Sequence, residues 1–236
     1  MFTDLTKEHD ANTNDNNRFK ILEGDSNLQL EFIKAESIDT VFTSPEPPYN
    51  YNQLQYLEMI MLKLPRVLKP TGSIWINLGD VHNSDGVLTL IPERFVHDMV
   101  IDYDWQLRNS IIWDRNAQTF DYEDNRRWRR DHEYLYWFVK DVKKHFIVER
   151  TWADPDVIRV AYEPPQPGTF ESGFPEKLIE QTALITTPPG GRILDPFCGT
   201  GTTGVVALNW HREFLGIEAN PSLIPKIKER LNNIRN

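Results

Sequence analysis

The chain has 236 residues, of which 39% are hydrophobic and 26% charged, with a formal net charge of −9; this suits one α/β domain with a small insert and a large core. No apolar run approaches the ~20 residues of a bilayer span and no basic start precedes an apolar stretch, so membrane and secretory classes are excluded. The single cysteine, Cys198, rules out a disulfide framework and a Cys-rich zinc site, and a reducing cytoplasm with no metal centre is expected.

Charge is unevenly spread. The acidic total argues against non-specific coating of nucleic acid, which draws on clustered Lys and Arg. Yet Trp105 to Arg150 carries ten basic against eight acidic side chains, net +2, which leaves −11 elsewhere.

Residues 1–17 are polar and Asn-rich, and read as a loose tail before a domain spanning 18–236. Phe19–Leu22 and Ile38–Phe42–Thr43 are β-branched and aromatic runs bounded by Gly24 and Pro45, as strands are. Leu54, Leu57, Met61, Leu64 and Leu68 recur at helical spacing, so Tyr51–Leu68 reads as an amphipathic helix ended by Pro70-Thr71-Gly72. A strand over Ser73–Gly79, a helix over Pro92–Asp104 and strands over Ser110–Trp113 and Tyr134–Val139 follow. Asp154–Thr169 is Pro-rich and reads as a loop. Helix Glu176–Thr187, strand Arg192–Asp195, helix Gly201–Trp210, strand Glu213–Glu218 and helix Ser222–Asn233 complete the chain. Such alternation predicts an α/β fold with a doubly wound, mostly parallel sheet.

The strand ending at Asp195 runs into Pro196-Phe197-Cys198-Gly199-Thr200-Gly201-Thr202-Thr203 and then a helix. Glycines at a strand-to-helix turn let backbone approach a ligand closely. The Gly-Lys-Ser/Thr ending of a triphosphate loop is missing. Glu218, at the end of the next strand, is placed to accept hydrogen bonds from two ribose hydroxyls. An ordinary βα turn beside a solvated Glu218 has the same local pattern.

With Gly216-Ile217-Glu218 and the following Ala219, this loop resembles the S-adenosylmethionine site of amino-directed DNA methyltransferases, whose usual form is Asp-Pro-Phe-x-Gly-x-Gly-Thr-Thr. The resemblance implies a Rossmann-like sheet of the class I methyltransferase type and S-adenosylmethionine as cofactor. Gly173-Phe174-Pro175-Glu176 is similar to the segment those enzymes set against the methionine end, although the His that often precedes it is replaced by Glu171-Ser172. Asp25, in Gly24-Asp25-Ser26, matches an Asp that meets the cofactor's adenine amino group; a helix cap is an equally good local reading.

The strand Ile38–Phe42 leads into Thr43-Ser44-Pro45-Glu46-Pro47-Pro48-Tyr49-Asn50, stiffened by three prolines. An exocyclic base amine is a poor nucleophile because its lone pair is delocalised into the ring. A Ser hydroxyl and a prolyl carbonyl can localise that pair by accepting the N–H bonds, and Tyr49 can stack on a base flipped from the duplex. The stretch resembles the Ser-Pro-Pro-Tyr signature associated with cytosine N4, as opposed to Asp-Pro-Pro-Tyr for adenine N6. Two extra residues separate Ser44 from Tyr49, so Ser44-Pro45 or Glu46-Pro47 takes the acceptor position; the phasing favours Ser44.

Arg126-Arg127-Trp128-Arg129-Arg130 offers four guanidinium groups around an indole, suited to phosphates and bases. Asp121, Glu123, Asp124 and Asp131 are present to neutralise it as a solvated face. Cys198 is expected to be inert. The resemblance runs from Phe19 to Asn233 in the beta-class order, with a catalytic region over 38–140 and a cofactor region over 173–236. It implies double-stranded DNA as substrate, a cognate restriction endonuclease as associate, and target recognition by short inserts over 116–130 and 141–172, alone or shared with a second copy. A non-catalytic binding module of the same fold and an RNA or small-molecule methyltransferase are the rival readings.

Overall fold

Eight strands form one mixed sheet in the computed structural model, which describes residues 18–45, 51–115, 128, 130–148, 155–162 and 174–234. The tail expected over 1–17 lies outside these. The strands are β1 (Phe19–Glu23), β2 (Ile38–Thr43), β3 (Leu68–Leu78), β4 (Gln106–Asp114), β5 (His132–Val139), β6 (Val157–Arg159), β7 (Arg192–Asp195) and β8 (Glu213–Glu218). Their order is β1-β8-β7-β2-β3-β5-β4-β6. Only β5 runs against its neighbours β3 and β4; the other pairings are parallel, as the alternation of helices and strands predicts.

Helices α1 (Ser26–Gln29), α2 (Tyr51–Val67), α3 (Ile91–His97), α4 (Glu176–Thr182), α5 (Thr202–Asn209) and α6 (Ile224–Asn232) cover the sheet. Two apolar cores result, one per face. Alternate strand residues Phe42, Trp75, Ile111, Trp113, Leu135 and Trp137 face α4, α5 and α6 through Leu178, Val206 and Ile227. Their neighbours Val41, Ile74, Ile76 and Phe138 face α2 and α3 through Leu57, Met61, Leu64 and Phe95. β2 is buried at all six positions, and its polar members are satisfied inside the core: Asp39 pairs with Lys69, Thr40 Oγ1 donates to the Thr186 carbonyl and Thr43 Oγ1 donates to Asp195.

Some expectations need correction. β3 starts at Leu68, directly after α2, because Leu68 pairs with Ile38 before the ladder slips and resumes at Thr40 with Ser73; Pro70 and Gly72 sit in that bulge, where no ladder donor is needed. The stretch expected as one helix over Pro92–Asp104 is α3 followed by a π turn, Asp98–Asp102. Within the expected loop Asp154–Thr169, Val157–Arg159 pairs in parallel with β4, and Trp113 Nε1 donates to the Val160 carbonyl at 2.8 Å. Tertiary pairing there overrides a composition that favours a loop. The chain winds outward in opposite directions from the junction of β2 and β7. Ligand crevices open at such a switch point, beyond the carboxyl ends of the strands.

Candidate active site

β2 and β7 lie side by side, with Thr40 opposite Ile193 and Val41 opposite Leu194. The Ser44-Pro45 and Pro196–Thr200 segments therefore leave the sheet at one end, although far apart in the chain. Asp195 is their clasp. It is fully buried and accepts from Thr43 Oγ1 at 2.8 Å, Thr203 Oγ1 at 2.6 Å and the Phe197 amide at 3.1 Å. Burial pushes its carboxyl up to about 6 against the pull of those hydrogen bonds.

Two cavities open there. The larger, about 1050 Å³, is lined by Asp25, Ser26, Asn52, Gln53, Tyr56, Leu57, Pro196, Ile217, Glu218, Ala219, Asn220 and Leu223. The smaller, about 320 Å³, is lined by Phe42, Asn77, Gly79, Trp113, Glu133, Tyr162, Phe174, Asp195, Cys198, Thr202 and Thr203. Ser44, Pro45, Phe197, Gly199 and Thr200 line both. Both volumes are of the size that holds small ligands.

The glycine loop is shaped for close approach. Gly199 and Gly201 have φ of 51° and 81°, a region L side chains rarely adopt. A Cβ on Gly199 would meet nothing within 4 Å, so this backbone borders open space. The Gly199 amide donates to Glu218 Oε2 at 2.9 Å, and the Asn220 amide to Glu218 Oε1 at 2.8 Å. Glu218 thus braces the loop and keeps lone pairs for donors from the cavity. Opposite it, Asp25 caps α1 through the Leu28 amide at 3.3 Å and accepts from the Tyr56 hydroxyl at 2.8 Å. The helix-cap reading of Asp25 is realised, and the same residue lines the larger cavity. Burial, with Asp25 beside it, raises the Tyr56 hydroxyl to about 12. Ser26 Oγ donates to the Pro196 carbonyl, joining α1 to the loop.

On the other strand end, Ser44 Oγ donates to Asn77 Oδ1 at 2.8 Å while Asn77 Nδ2 donates to the Tyr134 carbonyl at 3.2 Å. The Asn77 amide orients the Ser44 hydroxyl as donor toward itself, which leaves the Ser44 lone pairs to accept from a ligand. Phe174 packs edge-on against Phe42 and Trp113 at 5.6 and 5.4 Å. Pro175 precedes α4 as its N-cap residue. Cys198 is buried, and that burial pushes its thiol well above the usual range, consistent with an inert side chain.

Glu46, Pro47, Pro48 and Tyr49 lie outside the described residues, as do Arg126, Arg127 and Arg129. Trp128 is 96% exposed, and Arg130 stands 4.0 Å from Asp80. Asp80 accepts from Thr89 Oγ1 at 2.6 Å and the Val81 amide at 2.9 Å, whereas Asn77 and Gly79 of the same segment face the cavity. Asn77, Glu133, Trp113 and Tyr162 were not singled out for the site from the sequence. The period-two pattern of β3 would place Asn77 on the Trp75 face, but nothing local marks Tyr162.

A family model described as DNA methylase, N6_N4_Mtase, matches residues 38–229. The type II methyltransferase M.SmaI of Serratia marcescens is 29% identical over 90% of each chain. The type II methyltransferase M.BglII of Bacillus subtilis is 31% identical over 84% of this chain and 65% of its own. Among solved structures, the cytosine-N4-specific PvuII DNA methyltransferase superposes with a TM-score of 0.80 at 20% identity, covering 92% of this chain and 88% of its own. The M1.HpyAVI–SAM complex does so with 0.69 at 24%, covering 91% and 99%. Both share the fold. Among the described residues no helix is long and apolar enough to cross a membrane.

Proposed function

The chain belongs to the N6/N4 DNA methylase family, and from that premise we propose that it moves a methyl group from S-adenosylmethionine to the exocyclic amine of a base flipped out of double-stranded DNA, at N4 of cytosine in preference to N6 of adenine. The observation that carries this is the shared rim: Ser44 and Pro45 face Phe197, Gly199 and Thr200 where the two cavities meet.

The larger cavity suits the cofactor. Its polar lining sets an acceptor carboxylate at a strand end, Glu218, beside the open glycine backbone at Gly199 and a second acceptor carboxylate at Asp25. Asp25, Pro196, Phe197, Gly199, Thr200, Glu218 and Ala219 would hold the nucleoside, with Asp195, Cys198, Gly201 and Thr202 shaping the loop; the methionine end would cross the shared rim toward Phe174 of the smaller cavity and the adjoining Pro175. When bound, the cofactor supplies an electrophilic methyl group on a sulfonium.

The smaller cavity suits the base. Ser44, polarised by Asn77, accepts one amine N–H, and the Pro45 carbonyl offers a second acceptor; both return the nitrogen lone pair from the ring. Trp113, Phe42 and Phe174 make walls that exclude water, and Tyr49 stacks on the base. Orientation and fixed dipoles account for most of the acceleration in such a site. Ser44, in the Ser-Pro register, favours cytosine N4 over the alternative in which Glu46-Pro47 is the acceptor pair. Trp128 and the arginines at 126, 127, 129 and 130 contact the duplex, helped by the segments at 116–130 and 141–172. A restriction endonuclease of the same specificity fits relatives named as type II methyltransferases, and a second copy of the chain would extend the short reading surface.

Incubation with tritiated cofactor and mixed duplex DNA, followed by nucleoside separation, is expected to give labelled N4-methylcytosine, and Ser44→Ala to abolish it with cofactor affinity within a few-fold. Labelled N6-methyladenine would reassign the base; cofactor binding without label would leave a binding module of this fold.

A further inference from the structure

Glu58 lies inside the apolar stripe of α2, between Leu54 and Met61, and like them it is buried, at 7% exposure. Its Oε1 has no hydrogen-bond partner. A carboxyl buried without donors is costly, and nothing in the methyl-transfer site uses this one. It faces Asp98, with Asp102 and Arg94 close by on α3 and the π turn.

Three side chains of the kind that ligate metals converge at that place. His97 Nδ1 and one oxygen each of Asp98 and Asp102 all lie within 4.8 Å of one another. α3 ends at His97 and the π turn runs from Asp98 to Asp102, so consecutive turns supply all three. The carboxyl groups of Glu58, Asp98 and Asp102 thus meet the Arg94 guanidinium, whose Nε stands 3.5 Å from Asp98 Oδ2. That contact leaves Glu58 Oε1 unanswered. Carboxyls brought together need a proton or a cation between them.

Donors bound to one Zn²⁺ at about 2.0–2.2 Å lie about 3–3.5 Å apart. His97 Nδ1 and Asp98 Oδ1 are already 3.0 Å apart, and rotation of the exposed His97 and Asp102 side chains closes the rest. One imidazole nitrogen among carboxylate oxygens suits Zn²⁺ better than Mg²⁺ or Ca²⁺, which take shells of oxygen.

We propose that Glu58, His97, Asp98 and Asp102 form a Zn²⁺ site that ties α2 to α3. A single cysteine argues against a Cys-rich site and leaves this one open. None of the four residues lines either cavity, so the site is structural and does not rest on the methyl-transfer reading. α2 lends Asn52, Gln53, Tyr56 and Leu57 to the larger cavity, and the cation steadies that wall from behind. Without it, a proton stands between Glu58 and Asp98.

The test titrates Zn²⁺ at pH 7 into the full chain, first stripped with EDTA and dialysed, and reads calorimetry and thermal melts. The wild type is expected to bind one Zn²⁺ at its tightest site and to gain about 5 °C in melting temperature at saturation. Glu58→Gln keeps the size of the side chain; it is expected to weaken that site about tenfold or more and to gain less than about 1 °C. Asp102→Asn, an exposed change, is expected to act likewise and carries the test should the Gln variant fold poorly. A wild type that binds no Zn²⁺ overturns the proposal. So does unchanged Zn²⁺ affinity in both variants, the result when exposed histidines alone collect the metal.

Discussion

Thr43 and Asp195 are separated by 152 residues and joined by a hydrogen bond of 2.8 Å from Thr43 Oγ1 to Asp195 Oδ1. This contact holds the end of β2 against the end of β7, so the distance between the two loops that follow them is set inside the core. Val in place of Thr43 keeps the shape and removes the donor. The carboxyl of Asp195, already raised to about 6 mainly by burial, then rises further. A carboxyl raised on folding contributes stability that is fully present below its unfolded pKa and is lost as pH climbs through the folded value. Thr43→Val is therefore expected to cost about 1–3 kcal/mol at pH 7.5 and less at pH 4.5, read from urea unfolding at the two pH values.

Glu218 holds the Gly199 and Asn220 amides at 2.9 and 2.8 Å. Glu218→Ala is expected to weaken cofactor binding by about 1–3 kcal/mol, since it removes the acceptor proposed for the ribose together with the brace of the loop. Titration calorimetry with S-adenosylmethionine measures it; unchanged affinity would remove Glu218 from the site.

Glu58 of α2 is only 7% exposed, and its carboxyl is raised to about 7, first by burial and then by Asp98, with Asp102 adding and Arg94 opposing. As for Asp195, the sign makes the native state lose stability as pH rises, here from about 4.5 to 7. Glu58→Gln removes the titration, and with solvent screening at the rim of this cluster the gain is expected to be about 1–2 kcal/mol at pH 8 and near zero at pH 4. Thermal melts at both pH values test this.

Gly204 in α5 rests on β8: a Cβ there would lie 2.6 Å from Phe214 Cδ1 and 3.0 Å from Leu231 Cδ2. Gly204→Ala gains helix propensity but is expected to lose about 1–3 kcal/mol net by overpacking. A melting temperature equal to or above wild type would contradict that packing.

The sequence was a sufficient guide wherever a local rule acts alone. β2, β7 and β8 end at Thr43, Asp195 and Glu218 as their residue patterns predict, because β-branched runs bounded by turn residues have few other stable conformations. The glycine loop was legible for the same reason: Gly199 and Gly201 occupy left-handed backbone, and the loop's motif resembles a family that binds S-adenosylmethionine. What pairs across the chain was not legible. The Val157–Arg159 strand exists because β4 offers it an unpaired edge, the polarity of Ser44 is set by an Asn from another strand, and Glu133 reaches the cavity because Gly79 of β3 leaves space and Arg115 at the end of β4 holds it. Propensity and motif act along a few neighbouring residues, so they locate strands and loops; hydrogen-bond partners and cavity walls depend on sheet order and register, which only the folded chain decides.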